Sequence, residues 1–344
     1  MQFGWLAAML VVGCGESPMT AHDADVVPDI VADVAAPDAP SDAPPDTAPD
    51  APLPSLSPTC ATAPAVLIDV APHRVGNIAR AGDMLYVGSY LLDISGMVTD
   101  ARITPIDLTT RQSGATLSTV GSPWLQPANG TVYGVDNAAG TIWRFAPNTA
   151  PVALVTGRSQ PRAATADTTH VYWAEGSGTV YRRLLAGGTV ETITTCSDAR
   201  YLIIDGNDLY CAPIAPSVYR APKAGGSAVS IGNVTYPIGS MLKDGTDLYV
   251  TNLSPNAELY RIPIPGGPAA LVKQISGPTR FGGLAATADF FYVTDSGAGI
   301  RRVDRVTTAT DVIYASPSTL QDPVIWNNQL YFAKQDSLVL HCVN

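Results

Sequence analysis

An apolar residue followed by tyrosine returns seven times along the chain: Leu85-Tyr86, Val132-Tyr133, Val171-Tyr172, Leu209-Tyr210, Leu248-Tyr249, Phe291-Tyr292 and Leu330-Tyr331. The tyrosines are spaced 47, 39, 38, 39, 43 and 39 residues apart. A period near forty restricts the chain to a repeat architecture, because a unit that small buries its apolar faces only against its neighbours. Turn residues precede each tyrosine: Gly82-Asp83, Asn129-Gly130, Asp167-Thr168-Thr169, Asp205-Gly206-Asn207, Asp244-Gly245-Thr246, Ala288-Asp289 and Asn327-Asn328. Asn-Gly and Asp-Gly supply the positive φ of tight hairpins. A further strand follows most tyrosines and ends in arginine, as in Trp143-Arg144, Tyr181-Arg182, Tyr219-Arg220 and Tyr260-Arg261. Glycine pairs at 187–188, 225–226 and 266–267 then turn the chain into a fourth apolar run. Short alternating stretches of Val, Ile, Thr and Tyr fill the units, and no amphipathic helical period appears. The fold class is therefore all-β: a seven-bladed β-propeller of four-stranded blades.

The last tyrosine leaves room for only three strands. Val66–Val70, ahead of the first unit, supplies the fourth, so the ring is closed by an N-terminal strand and has no open edge. Antiparallel pairing there brings Cys60 toward Cys342 and predicts a disulfide. Cys196 follows the outer strand of the third blade, and Cys211 lies near the end of the second strand of the fourth. Both lie on one propeller face, and a second bridge is expected between them. With Cys14 set apart, five cysteines divide into one modified and four paired, as suits an oxidising compartment.

Tyr292-Val293-Thr294-Asp295, Tyr249-Val250-Thr251-Asn252 and Tyr172-Trp173-Ala174-Glu175 resemble degenerate YWTD repeats of the low-density-lipoprotein-receptor type. The wider pattern of Asp-turn, Val-Tyr-Trp, Val-Tyr-Arg and Gly-Gly is similar to propeller repeats of secreted and lipid-anchored bacterial proteins, many of them myxobacterial. The resemblance covers about residues 66–344. It implies the propeller fold and leaves the activity open.

The N-terminus has a different composition. Phe3–Val12 is apolar but too short to span a bilayer, as in a signal-peptide core. Val11-Val12-Gly13-Cys14 resembles a bacterial lipobox, which implies a leader over 1–13, lipidation of Cys14 and attachment to a membrane. Gly15, where inner-membrane lipoproteins often carry Asp, points to the outer membrane of a Gram-negative cell. Residues 14–59 repeat Asp, Ala and Pro and cannot bury enough apolar surface to order, so they read as a disordered, semi-rigid tether reaching about 140 Å. The propeller occupies 60–344. The chain carries 30 acidic and 20 basic residues, a net charge of −10. Ten of the acidic residues precede Arg74, the first basic residue, and the remaining charges cancel. The acidity belongs to the tether, and the propeller lacks the basic field that nucleic acid requires.

No phosphate-cradling loop, Cys-x-x-Cys pair or His-rich spacing is present, so neither a metal nor a cofactor is expected. Propeller ligands enter at the axial mouth where innermost strands begin. Those positions hold Asn77, Trp124, Arg162, Arg200, Ser240, Arg280 and Gln321-Asp322. Of these, Asn77, Trp124, Arg162, Arg200, Arg280 and Asp322 form the candidate ligand site. Three guanidinium groups and an indole suit an anionic or polar partner, a protein or glycan of the cell envelope. The insertion at 88–102 carries Tyr90, Leu91, Leu92, Ile94 and Met97 on the same face, as a lid or partner patch. The resulting expectation is a binding or scaffold domain. The alternative is a propeller enzyme, either a metal-dependent lactonase or a streptogramin-lyase-like enzyme with His73 as its channel histidine.

Overall fold

The computed structural model describes residues 65–253, 256–275, 281–316, 320–335 and 337–342. The expected leader, Cys14, the tether, Cys60 and Arg280 lie outside the described residues, as do the side chains of Asp322 and Cys342.

The described chain forms seven four-stranded antiparallel sheets. Blades one to six occupy 74–119, 123–155, 161–195, 199–233, 238–275 and 281–315, each a simple up-and-down meander. Blade seven takes its first three strands from 320–342 and its fourth from Ala65–Asp69, which pairs antiparallel with Ser337–Cys342. The first strands of successive blades lie side by side, and that of blade one returns to that of blade seven, so the ring closes. The expected seven-bladed architecture and its N-terminal closing strand are present.

Each repeated tyrosine is buried. Six of them pack across an interface onto the following blade. Tyr86 meets Leu125, Val132 and Phe145 of blade two. Tyr133 meets Ala164, Val171 and Trp173 of blade three. Tyr210 meets Ile238 and Leu248, Tyr249 meets Phe281 and Phe291, Tyr292 meets Leu330 and Phe332, and Tyr331 meets Leu85 and Ile106. Tyr172 is also buried, and its hydroxyl donates to Asp167 Oδ2 at 2.9 Å. The second strand of a blade is thus covered on both faces, which explains its nearly unbroken apolar character. Outer strands such as Glu191–Thr195 and Ala270–Ile275 are half exposed and read as weak, polar strands.

Turns follow the residue chemistry. Asn129 and Gly130, and Asn327 and Asn328, have positive φ at both central positions, as a two-residue hairpin turn requires. The insertion in blade one is not an irregular loop. It extends Met84–Leu92 and Val98–Asp107 into one long hairpin. Asp93 closes its tip by accepting from the amides of Ser95 and Met97. The extension beyond Ser89 is three residues, about 10 Å of strand, and leaves Ile94 and Met97 exposed at the tip.

Candidate functional site

The entry mouth is shaped by one recurrent irregularity. The pairing of first and second strands skips residues near the entry end in six blades: Gly76, Arg162, Arg200, Gly239, Gly282-Gly283 and Asp322-Pro323 are passed over. Blade two keeps unbroken register from Pro123 onward. A bulge leaves its extra residue outside the ladder and turns the side chain away from the pleat. Arg162 and Arg200 are therefore aimed by backbone geometry, at equivalent places in neighbouring blades.

The two arginines converge. Arg162 Nε and Arg200 Nε each lie 3.5 Å from the same atom, Asp198 Oδ1. Asp198 sits in the turn joining blades three and four, with φ 51. That turn is held from one side by the disulfide between Cys196 and Cys211, one of the two expected bridges. Trp124 faces Tyr201 in a T-shaped contact with ring centroids 5.8 Å apart. Their strands belong to blades two and four, so the pair meets past blade three. The Tyr201 hydroxyl donates to the carbonyl of Gly239 in blade five. Asn77 has a different setting. It is buried, and its Oδ1 accepts the Leu125 amide of blade two, a link between blades. The structure thus brings Arg162, Arg200 and Trp124 to the mouth and joins them to Asp198 and Tyr201, two residues the sequence reading passed over. Neither belongs to the repeat; only proximity to Arg200 marks them.

A second layer at the same end is also unforeseen. The third residue after the repeated tyrosine is a buried acid in three blades: Asp136, Glu175 and Asp295. Asp136 accepts from the amides of Val120, Gly121 and Ala139. Glu175 accepts from Arg158 Nε at 2.6 Å and Trp173 Nε1 at 3.2 Å, while the Arg158 guanidinium lies over the rings of Trp173 and Tyr181. Asp295 accepts from the Gly297 amide and from Arg301 Nε. In blade five the position is Asn252, which donates to buried Glu258; Tyr260 and Gln274 donate to the same carboxylate. The signal for these was their fixed place three residues after the repeated tyrosine.

His73 is buried ahead of the first strand of blade one, with Nε2 3.0 Å from Asp100 Oδ2 on the long hairpin. Asp100 also accepts from Arg102. The Arg102 bond, joined by that of His73, holds the Asp100 carboxyl below its usual range against the opposing effect of burial. Among the described residues, no group of three or more His, Cys, Asp or Glu side chains is placed to hold a metal ion.

Two cavities flank this framework. One, of about 430 Å³, opens beside the disulfide at the entry face and is lined by Thr195, Ser197, Asp198, Pro213 and Tyr219 among others. The other, of about 370 Å³, lies where the first strands of blades two, three and four end. Asn129, Asp167, Asp205 and Lys223 are among its walls. There Lys223 Nζ is 2.9 Å from Asp167, and Lys243 reaches Asp205 at 3.3 Å.

No protein-family model matches the chain, and no curated protein matches it. Solved structures do. A catalytically inactive histidine-to-alanine variant of virginiamycin B lyase from Staphylococcus aureus, solved with quinupristin, is 15% identical. It aligns over 82% of this chain and 99% of its own, with a TM-score of 0.65. YCF48 bound to a D1 peptide is 11% identical, covers 85% of this chain and 99% of its own, and gives 0.58. YCF48 from Cyanidioschyzon merolae is 9% identical, over 82% and 98%, also at 0.58. At these identities the likeness is one of fold.

Proposed function

We propose that this protein is a binding or scaffold propeller that presents its entry mouth to an anionic group on an envelope glycan or protein. The observation that supports it is the convergence of Arg162 and Arg200, at successive bulges, beside a cavity and the Trp124–Tyr201 pair. Guanidinium groups recognise carboxylate and phosphate with directional hydrogen bonds. An array of acidic and neutral glycans probed with the full chain tests the reading. Retention on acidic members only is expected, with loss in Arg162→Gln/Arg200→Gln and no change in the exit-face variant Lys243→Gln. Equal retention by the arginine variant refutes the mouth as the site.

The disulfide between Cys196 and Cys211 supports an oxidising, extracytoplasmic location, and in our reading Cys14 carries the lipid that holds the protein at the outer membrane. Mass spectrometry of membrane-extracted protein is expected to find a lipid-modified Cys14, and Cys14→Ser is expected to move the chain to the soluble fraction. An unmodified Cys14 in membrane-free protein contradicts this.

One observation favours a second reading, a lyase. His73 is oriented by Asp100 at the entry face, and virginiamycin B lyase shares the fold. Incubation with quinupristin, followed by reversed-phase chromatography, separates the two. The binding reading expects no conversion; conversion abolished in His73→Ala replaces it with the enzyme.

A further inference from the structure

We infer that Asp198 is a resident carboxylate occupying a site built for the carboxylate of an acidic sugar, so that the mouth binds by exchanging one carboxylate for another. This rests on the binding reading above and gives it a ligand class and a built-in restraint. Arg162 and Arg200 are both passed over in the strand pairing, and both direct Nε at one oxygen. Asp198 Oδ1 is buried yet accepts no hydrogen bond from the described residues. A buried acceptor in that state calls for an explanation. At 3.5 Å it keeps the Coulombic attraction but falls short of a charge-assisted hydrogen bond, which closes at about 2.7–2.9 Å. A ligand carboxylate free to approach gains the bonds that Asp198 forgoes.

The turn explains why Asp198 stands off. Two residues before it, Cys196 is bonded to Cys211, and the Cys196 amide donates to the Gly178 carbonyl at 2.7 Å. Asp198 itself has φ 51, a conformation that aspartate tolerates. The backbone is pinned, and the short side chain ends where the turn puts it.

The adjoining cavity names the rest of the ligand. At about 430 Å³ it is near the small end of ligand sites and has room for one sugar ring. Thr195 and Ser197 offer hydroxyls, while Pro213, Ile214 and Tyr219 offer an apolar wall. That combination suits a pyranose, which has a polar rim and a C–H face. Asp198 lines this cavity and is also the residue both arginines approach, so a uronate whose ring fills the cavity has its carboxylate within reach of them.

Titration calorimetry of the full chain with glucuronate, glucose and acetate tests the inference. Asp198→Asn keeps the side-chain size and removes the competing charge. It is expected to bind glucuronate about tenfold more tightly than the unaltered protein. Glucose and acetate are expected to bind neither protein measurably. The variant Cys196→Ser/Cys211→Ser leaves all three charged groups in place and frees the turn, so that Asp198 can close on the guanidinium groups; it is expected to weaken glucuronate binding severalfold. It carries the test should Asp198→Asn fail to fold. If Asp198→Asn binds glucuronate no better and Cys196→Ser/Cys211→Ser binds it no worse, while Arg162→Gln/Arg200→Gln loses it, the resident-carboxylate inference falls and the mouth reading stands. If the arginine variant binds as the unaltered protein does, the mouth reading itself falls. Acetate binding as tightly as glucuronate overturns the sugar class.

Discussion

Asp167 shows what one side chain does for a blade. It ends the first strand of blade three and accepts from Tyr172 OH and Lys223 Nζ, each at 2.9 Å, and from the amides of Thr169 and His170. Burial alone raises its pKa. The Lys223 bond and the two amides outweigh burial and hold the carboxyl well below its ordinary range. The Tyr172 hydroxyl is pushed upward, first by burial and then by Asp167. One carboxylate thus fastens the repeated tyrosine and a lysine of the next blade. Asp167→Asn is expected to cost about 1.5–3 kcal/mol in urea unfolding at pH 7. A depressed folded-state pKa stabilises the fold above about pH 4, the unfolded value, and that contribution is lost as pH falls below it. The stability gap between the two proteins is therefore expected to narrow on acidification. A gap that stays constant down to pH 3 contradicts this assignment. The mouth residues were only partly legible at this scale. Arg162, Arg200 and Trp124 stood out by position and type. Asn77 shared the position, yet its side chain is spent on the Leu125 amide, and nothing in the residue type separates those outcomes.

At the scale of the element, the strands were legible and the bulges were not. Burial on two faces dictates the apolar second strands, and Asn-Gly or Asp-Gly dictates the turns, so both leave a mark in composition. A bulge is a defect of register between two strands. Arg162 and Arg200 sit at bulges, whereas Trp124 does not, and all three occupy the same place in the repeat. The start of the third strand carries a different constraint. Gly140 has φ 62, and a Cβ there meets the Arg158 carbonyl oxygen at 2.2 Å. The Gly140 carbonyl also accepts the Arg158 amide at 2.9 Å, which ties the end of the outer strand to the start of the third. Strain and overlap together predict that Gly140→Ala destabilises by roughly 3 kcal/mol or more. An unchanged denaturation midpoint contradicts that. The Cys196–Cys211 bridge, with a sequence separation of 15, is expected to contribute about 3 kcal/mol by restricting the unfolded chain. A Cys196→Ser/Cys211→Ser variant unfolding at the same denaturant concentration contradicts it.

Across the whole molecule, seven blades share one device. Each sheet is too small to bury both faces, and stacking in a ring buries them, with a recurrent tyrosine at the joints. Polar links repeat the connection on both faces. Asn137 Nδ2 donates to the Pro161 carbonyl and Thr251 to the Gly282 carbonyl near the entry. Trp326 donates to Asp83, and Arg305 pairs with Asp244, where the first strands end. The ring closes through Ala65–Asp69, whose Leu67 and Ile68 join Tyr331 and Leu340 in one core. Closure also positions the mouth, because the arginines converge only if neighbouring blades are held at a fixed angle. Hydrogen–deuterium exchange of the full chain tests that claim most directly. Closure predicts that the amides of Ala65–Asp69 exchange as slowly as those of the outer strands of the other blades. Rapid exchange across Ala65–Asp69, with blades one to six still protected, means an open ring and contradicts the account.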